Sequence, residues 1–219
     1  MANLTMVWMG ILDYLLKEGA EQKAFERSKN IIMHATKANA LLKDIVNGSS
    51  NISGVRKLGK ESDKEVFEIV NSITAGAIAP NLIEPMRRFV RREDEIVDHM
   101  FSLARALVRY RIKDKRVSSY ANRRLMELNG LTYAALKDLH EMQKSDEIKA
   151  IGKLRTKIVD IEQAGDDIKD EMLTFAYSSK IDYKTFNHLL DVAYLTDDIL
   201  DACEGASDMY FSIMLSILT

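Results

Sequence analysis

Four short stretches of this chain carry carboxylates at or near a spacing of four residues. They are Gly59-Lys60-Glu61-Ser62-Asp63, Asp94-Glu95-Ile96-Val97-Asp98, Glu162-Gln163-Ala164-Gly165-Asp166 and Asp197-Asp198-Ile199-Leu200-Asp201. On a helix, residues four apart lie on one face, one above the other. Two carboxylates so placed repel by roughly 0.2–0.5 kcal/mol in water, and by more where the face is partly buried. A cation between them reverses the sign, and hard ions prefer such oxygen donors. Acidic residues number 33 of 219, so an isolated pair of this kind also arises as a plain solvated face.

Recurrence separates these pairs from chance. At an offset of 103 residues, Leu58 falls on Ile161, Asp63 on Asp166 and Glu68 on Glu171. The same shift puts Asp94 on Asp197, Ile96 on Ile199, Val97 on Leu200 and Asp98 on Asp201. The second half is the better equipped. Asp170 continues the Glu162–Asp166 row, while Glu204 and Asp208 continue the Asp197–Asp201 row. In the first half the corresponding places hold Gly59, Phe67, Phe101 and Arg105. Glu61 points about 160° away from Gly59 around the axis and is no substitute. Arg105 is expected to neutralise Asp94 and Asp98. The candidate metal ligands are therefore Glu162, Asp166, Asp170, Asp197, Asp201 and Glu204, with a weaker or absent set of Asp63, Asp94 and Asp98. Gly165 and Gly205, inside helical pattern beside these rows, read either as points of close helix approach or as tolerated glycines.

The elements that must carry these rows are helices. Apolar residues recur at helical spacing over about 6–16, 21–45, 55–78, 85–112, 118–143, 146–178 and 183–218. Breaks fall at Asn47-Gly48-Ser49-Ser50, at a loop over 79–85 with Pro80 and Pro85, and at Ser179-Lys180-Ile181-Asp182. No segment alternates like a strand. The expectation is an all-α fold of two tandem three-helix bundles related by internal duplication, plus a short N-terminal helix. Residues 1–113 form the first repeat and 114–219 the second, packed as one compact body.

These motifs, in this order and spacing, resemble the PhoU-like proteins, particularly the shorter branch associated with inorganic phosphate transporters. That family has two three-helix repeats, each with two E/D-x-x-x-D motifs. Glu162–Asp166, Asp197–Asp201 and Asp94–Asp98 match the pattern, and Asp63 matches its second position only. Glu93–Leu107 followed by Arg109-Tyr110-Arg111-Ile112 also looks like the end of the family's first repeat, and the likeness covers about residues 10–217. It implies a regulator of phosphate uptake or signalling that acts by contact with a transporter or its regulatory proteins. It also implies a polynuclear iron or other metal cluster on the bundle surface.

Composition narrows the alternatives. A formal net charge of −2 gives no general case for nucleic-acid binding. Between Arg105 and Arg124 there are eight basic residues against one acid. Within this stretch Arg109, Arg111, Lys113, Lys115 and Arg116 are candidates for contact with an acidic partner or anionic lipid, the latter implying peripheral membrane association. A solvated connector reads equally well there, as does a second basic cluster of Arg87, Arg88, Arg91 and Arg92. The one cysteine, Cys203, excludes an internal disulfide and a cysteine zinc motif, and reads as a core residue. No basic signal-peptide start precedes the first apolar run, and the apolar C-terminal stretch is half a membrane span, so the expected location is the cytoplasm.

His34, His99, His140 and His188 are scattered, and none completes a Glu-x-x-His di-iron motif. Met6, Trp8 and Met9 could form an exposed docking edge. Neither a phosphate loop nor a catalytic triad pattern occurs, so the chain is read as no enzyme. Two other classes stay open. One is a structural scaffold or oligomerisation module, a homodimer included, without metal; the other is a metal-dependent hydrolase.

Overall fold

A computed structural model describes residues 20–74 and 79–218. Six helices account for nearly all of them: α1 Ala20–Val46, α2 Ile52–Ser72, α3 Pro80–Arg109, α4 Lys115–Met142, α5 Ile148–Ser178 and α6 Tyr183–Leu218. No strand occurs among the described residues, so the fold is all-α. The expected N-terminal helix over 6–16, with Met6, Trp8 and Met9, lies outside the described residues.

Local chemistry sets the helix ends. After α1 the chain turns through Gly48, whose φ of 111° falls in the region glycine tolerates best. Asn51 then caps α2 by accepting from the Gly54 amide at 3.2 Å. This cap starts α2 three residues earlier than apolar periodicity indicates. Asp114 caps α4 by accepting from the amides of Arg116 and Val117. Asp182 does the same for α6 through Lys184 and Thr185.

The expected loop over 79–85 is replaced by helix. Pro80 occupies the first position of α3, where a missing amide costs nothing, and Pro85 is accommodated inside the exposed start of the helix. At its other end α3 stops at Arg109, because Tyr110 is extended. The connector is thus 110–114, and the 113/114 boundary read from sequence falls within it.

Helices α1, α2 and α3 pack on one another, as do α4, α5 and α6; α3 meets α6, and α1 meets α4. The inner helices are therefore α1, α3, α4 and α6, flanked by α2 on one side and α5 on the other. One continuous apolar core draws buried side chains from all six, including Ile31, Ile69, Phe89, Leu136, Ile158 and Ile199. Where α1 crosses α4, Asn39 and Asn129 exchange hydrogen bonds: each side-chain amide donates to the other residue's backbone carbonyl, at 3.1 and 2.9 Å. A polar pair of this kind, with Asn39 buried and Asn129 half-buried, fixes register between helices. Among the described residues no helix is long and apolar enough to cross a membrane.

Candidate functional site

Close approach of α5 and α6 makes the site. Gly165 faces Leu200, and a Cβ on Gly165 would overlap the Leu200 side chain outright. With the glycine there, the helices draw near enough for the carboxylates of one to sense those of the other. Gly205 serves a different neighbour. Its open face receives the Arg92 guanidinium from α3, which a Cβ would meet at 2.5 Å. Both glycines are therefore points of close approach.

Glu162 lies at the centre of the resulting field. Partial burial, followed by the charges of Asp166, Glu204, Asp201 and Asp197, pushes its carboxyl up to about 7. Burial, with Asp208 and Asp201, likewise raises Glu204, against the opposing charges of Arg155 and Arg92. Four of the six carboxylates expected in the second half thus surround a fifth, Glu162.

A lysine stands among them. Lys169 donates a short hydrogen bond to Asp166 and a second, of 2.9 Å, to Asp197. Burial works against its charge, yet these two bonds hold its pKa above the ordinary lysine value. The two aspartates respond oppositely. Asp166, the more exposed at 35%, is held low by Lys169. Asp197, only 14% exposed, is pushed up to about 6, chiefly by burial. Depth sets the two apart: the more buried acid holds its proton more tightly, although both pair with Lys169.

The rest of the row is pinned at its edges. Arg155 from α5 pairs with Asp208 at 2.5 Å, and Arg92 pairs with Glu95 at 2.6 Å while donating to the Asp201 carbonyl. Asp170 is exposed and lines a shallow hollow with Tyr120, Glu171 and Phe175. It extends the Asp166 row in sequence, while its surroundings are those of the α4 side.

In the first half, Asp63 on α2 lies near Asp94 and Asp98 on α3. Burial, with Asp98 and Asp63, raises Asp94 to about 6 against a hydrogen bond from the Ser62 hydroxyl. Asp98 is raised by burial and by Asp63. Arg105, expected to neutralise this pair, lies instead over the Phe101 ring, 5.2 Å from its centroid. No ion pair from Arg105 to either acid occurs among the described residues. Val66 stands at the position equivalent to Lys169, and among the described residues no lysine or arginine pairs with Asp63, Asp94 or Asp98.

All-oxygen donors suit a hard metal ion. As placed, however, no three histidine, cysteine or acidic side chains among the described residues converge closely enough to hold one. The chemistry of the donors fits, and Lys169 already engages two of them, Asp166 and Asp197.

Sequence reasoning missed three side chains. Lys169 stands three residues after Asp166, a spacing that could have flagged it, but it reads as an ordinary helix-surface pair. Glu93 passed unnoticed beside Asp94, yet it is fully buried and receives a short hydrogen bond from Gln143. Burial raises its carboxyl well above the usual range. His188, set aside as scattered, is 8% exposed and stacks edge-on against Tyr110. Of the basic candidates, Arg111 is employed internally, donating to the carbonyls of Ile45 and Ser49 at 3.1 and 2.8 Å. Arg109, Lys113, Lys115 and Arg116 are exposed. Cys203 is buried, as expected of a core residue.

No protein-family model matches the chain, and no curated protein matches it significantly.

Proposed function

We propose that this protein is a PhoU-like regulator of inorganic phosphate uptake or signalling. In this reading it is a non-catalytic, metal-binding helical module that works in the cytoplasm by contact with a transporter or sensor. The helix packing supports descent from one duplicated unit, because the two trios correspond helix for helix under the offset that aligns the carboxylates. The observation that carries the metal reading is Glu162 held up to about 7 among four other carboxylates of α5 and α6. Glu162, Asp201 and Glu204 would hold the ion, and Asp166 and Asp197 would join them once Lys169 withdraws. A bound ion supplies positive charge that removes the mutual repulsion; the surrounding chain presents the charged face to a partner.

Replacing both Asp166 and Asp201 by alanine is expected to abolish metal binding, measured by titration calorimetry, while circular dichroism remains helical. Metal binding that survives in this double variant removes the site as proposed.

Lys169 favours a second reading, in which its ammonium already bridges α5 and α6 and the protein is a metal-free scaffold. The variant Lys169→Met separates the two. Removing a competing cation tightens metal binding in the first reading. In the second it weakens the fold and no metal binds.

A further inference from the structure

Between the connector, α4 and the start of α6 lies a cavity of about 210 Å³. Its back is apolar, formed by Leu107, Leu125 and Val192, and its polar groups include Arg111, Asn122 and His188. We propose that this cavity binds a small oxyanion, a carboxylate or phosphate, held by Arg111 and His188 where the two helix trios join.

Three observations carry the proposal. First, His188 is 8% exposed and lines the cavity, yet its ring nitrogens make no hydrogen bond among the described residues. The ring nitrogens are open to the cavity and not sealed in the core, so whatever fills the cavity, water or a ligand, is their partner. Second, a guanidinium has five N–H donors. The bonds to Ile45 and Ser49 employ two of its nitrogens and fix the plane of the group, and further N–H donors remain on this exposed side chain, which lines the cavity. Third, the nearby carboxylates are either committed elsewhere or exposed. Asp114 caps α4, and Asp182 caps α6 and accepts from Thr185, while Asp191 is exposed although its charge reaches His188, where it opposes that of Arg111. The connector itself adds Arg109, Lys113, Lys115 and Arg116.

The surroundings keep the groups in place. Tyr110 packs against the His188 ring and hydrogen-bonds through its hydroxyl to Thr185 at 2.7 Å. Burial holds His188 below its ordinary value, so at neutral pH the ring is uncharged and offers one N–H beside the permanent charge of Arg111. The volume sets the size of the ligand. Pockets for drug-sized molecules span ~300–1,000 Å³; this one suits an anion of a few heavy atoms.

This site is separate from the carboxylates of α5 and α6 and does not rest on the metal reading. The test is calorimetric titration of the full chain, at constant ionic strength, with inorganic phosphate and separately with succinate. The ring signals of His188 are followed by NMR in the same titrations. Saturable binding of at least one anion is expected, with displacement of the His188 signals. Saturation by phosphate alone assigns a tetrahedral oxyanion, and by succinate alone a carboxylate. Arg111→Gln and His188→Gln are each expected to weaken binding about tenfold or more. Asn122→Leu, at an exposed position, is expected to weaken it without disturbing the core, and Glu162→Gln to leave it unchanged. Absence of saturation by either anion overturns the proposal, as does binding that leaves His188 unmoved or is indifferent to Arg111→Gln and Asn122→Leu.

Discussion

Glu162, Asp197, Asp94 and Glu93 share one property: each holds its proton more tightly in the folded chain than it would unfolded. For an acid raised in this way, folding is undisturbed below the unfolded value and opposed as pH climbs toward the folded one. The metal-free protein should therefore lose thermal stability as pH rises from about 4 to 7. Glu162→Gln should flatten that slope, and a scan of melting temperature against pH checks it. An unchanged slope would mean that repulsion around Glu162 is weaker than described. Glu93→Gln keeps the contact with Gln143 without the cost of a buried charge. It should raise stability at pH 8 by about 1–3 kcal/mol in denaturant unfolding. The carboxylate rows were legible from spacing and recurrence. Glu93 was not, because its depth depends on Gln143 and Tyr210, which the fold brings from distant parts of the chain.

At the level of the helices, two glycines decide how α5 and α6 meet their neighbours. Gly165→Ala gains about 1 kcal/mol of helix propensity, and overpacking against Leu200 costs about 1–3 kcal/mol. A net loss of stability is expected in urea unfolding. Gly205→Ala should cost less, since Arg92 is the end of a long side chain and can swing aside. Equal losses in the two variants would contradict this account of the α5–α6 contact. Helix ends were legible where a breaker stood in the right place, as at Gly48 and Asp182, and the Asp114 cap, which starts α4 at Lys115 where periodicity indicates about 118, was missed. They were misjudged at α3, where Pro85 looked like a start although Pro80 already supplies one. Side-chain direction was equally hidden. Arg105 had the spacing to meet Asp98, but the flat face of Phe101 takes it instead.

Across the whole molecule, the continuous core and the α3–α6 and α1–α4 contacts make the two trios interdependent. A single calorimetric unfolding transition is expected for the full chain. Residues 114–219 alone, with the partner faces of α4 and α6 laid bare, should show no cooperative transition. Two resolved transitions would mean independent halves. The all-helical class was legible because periodicity persists through nearly every segment. What periodicity could not convey is the competition at the centre of the site, where a lysine and a metal ion would claim the same aspartates. The direct test is the metal content of protein purified without a histidine tag, followed by saturation with iron and with manganese. Bound metal that is lost when Asp166 and Asp201 become alanine is the predicted result. A chain that emerges without metal and takes up neither ion would contradict it, leaving Lys169 as the cation that holds α5 to α6.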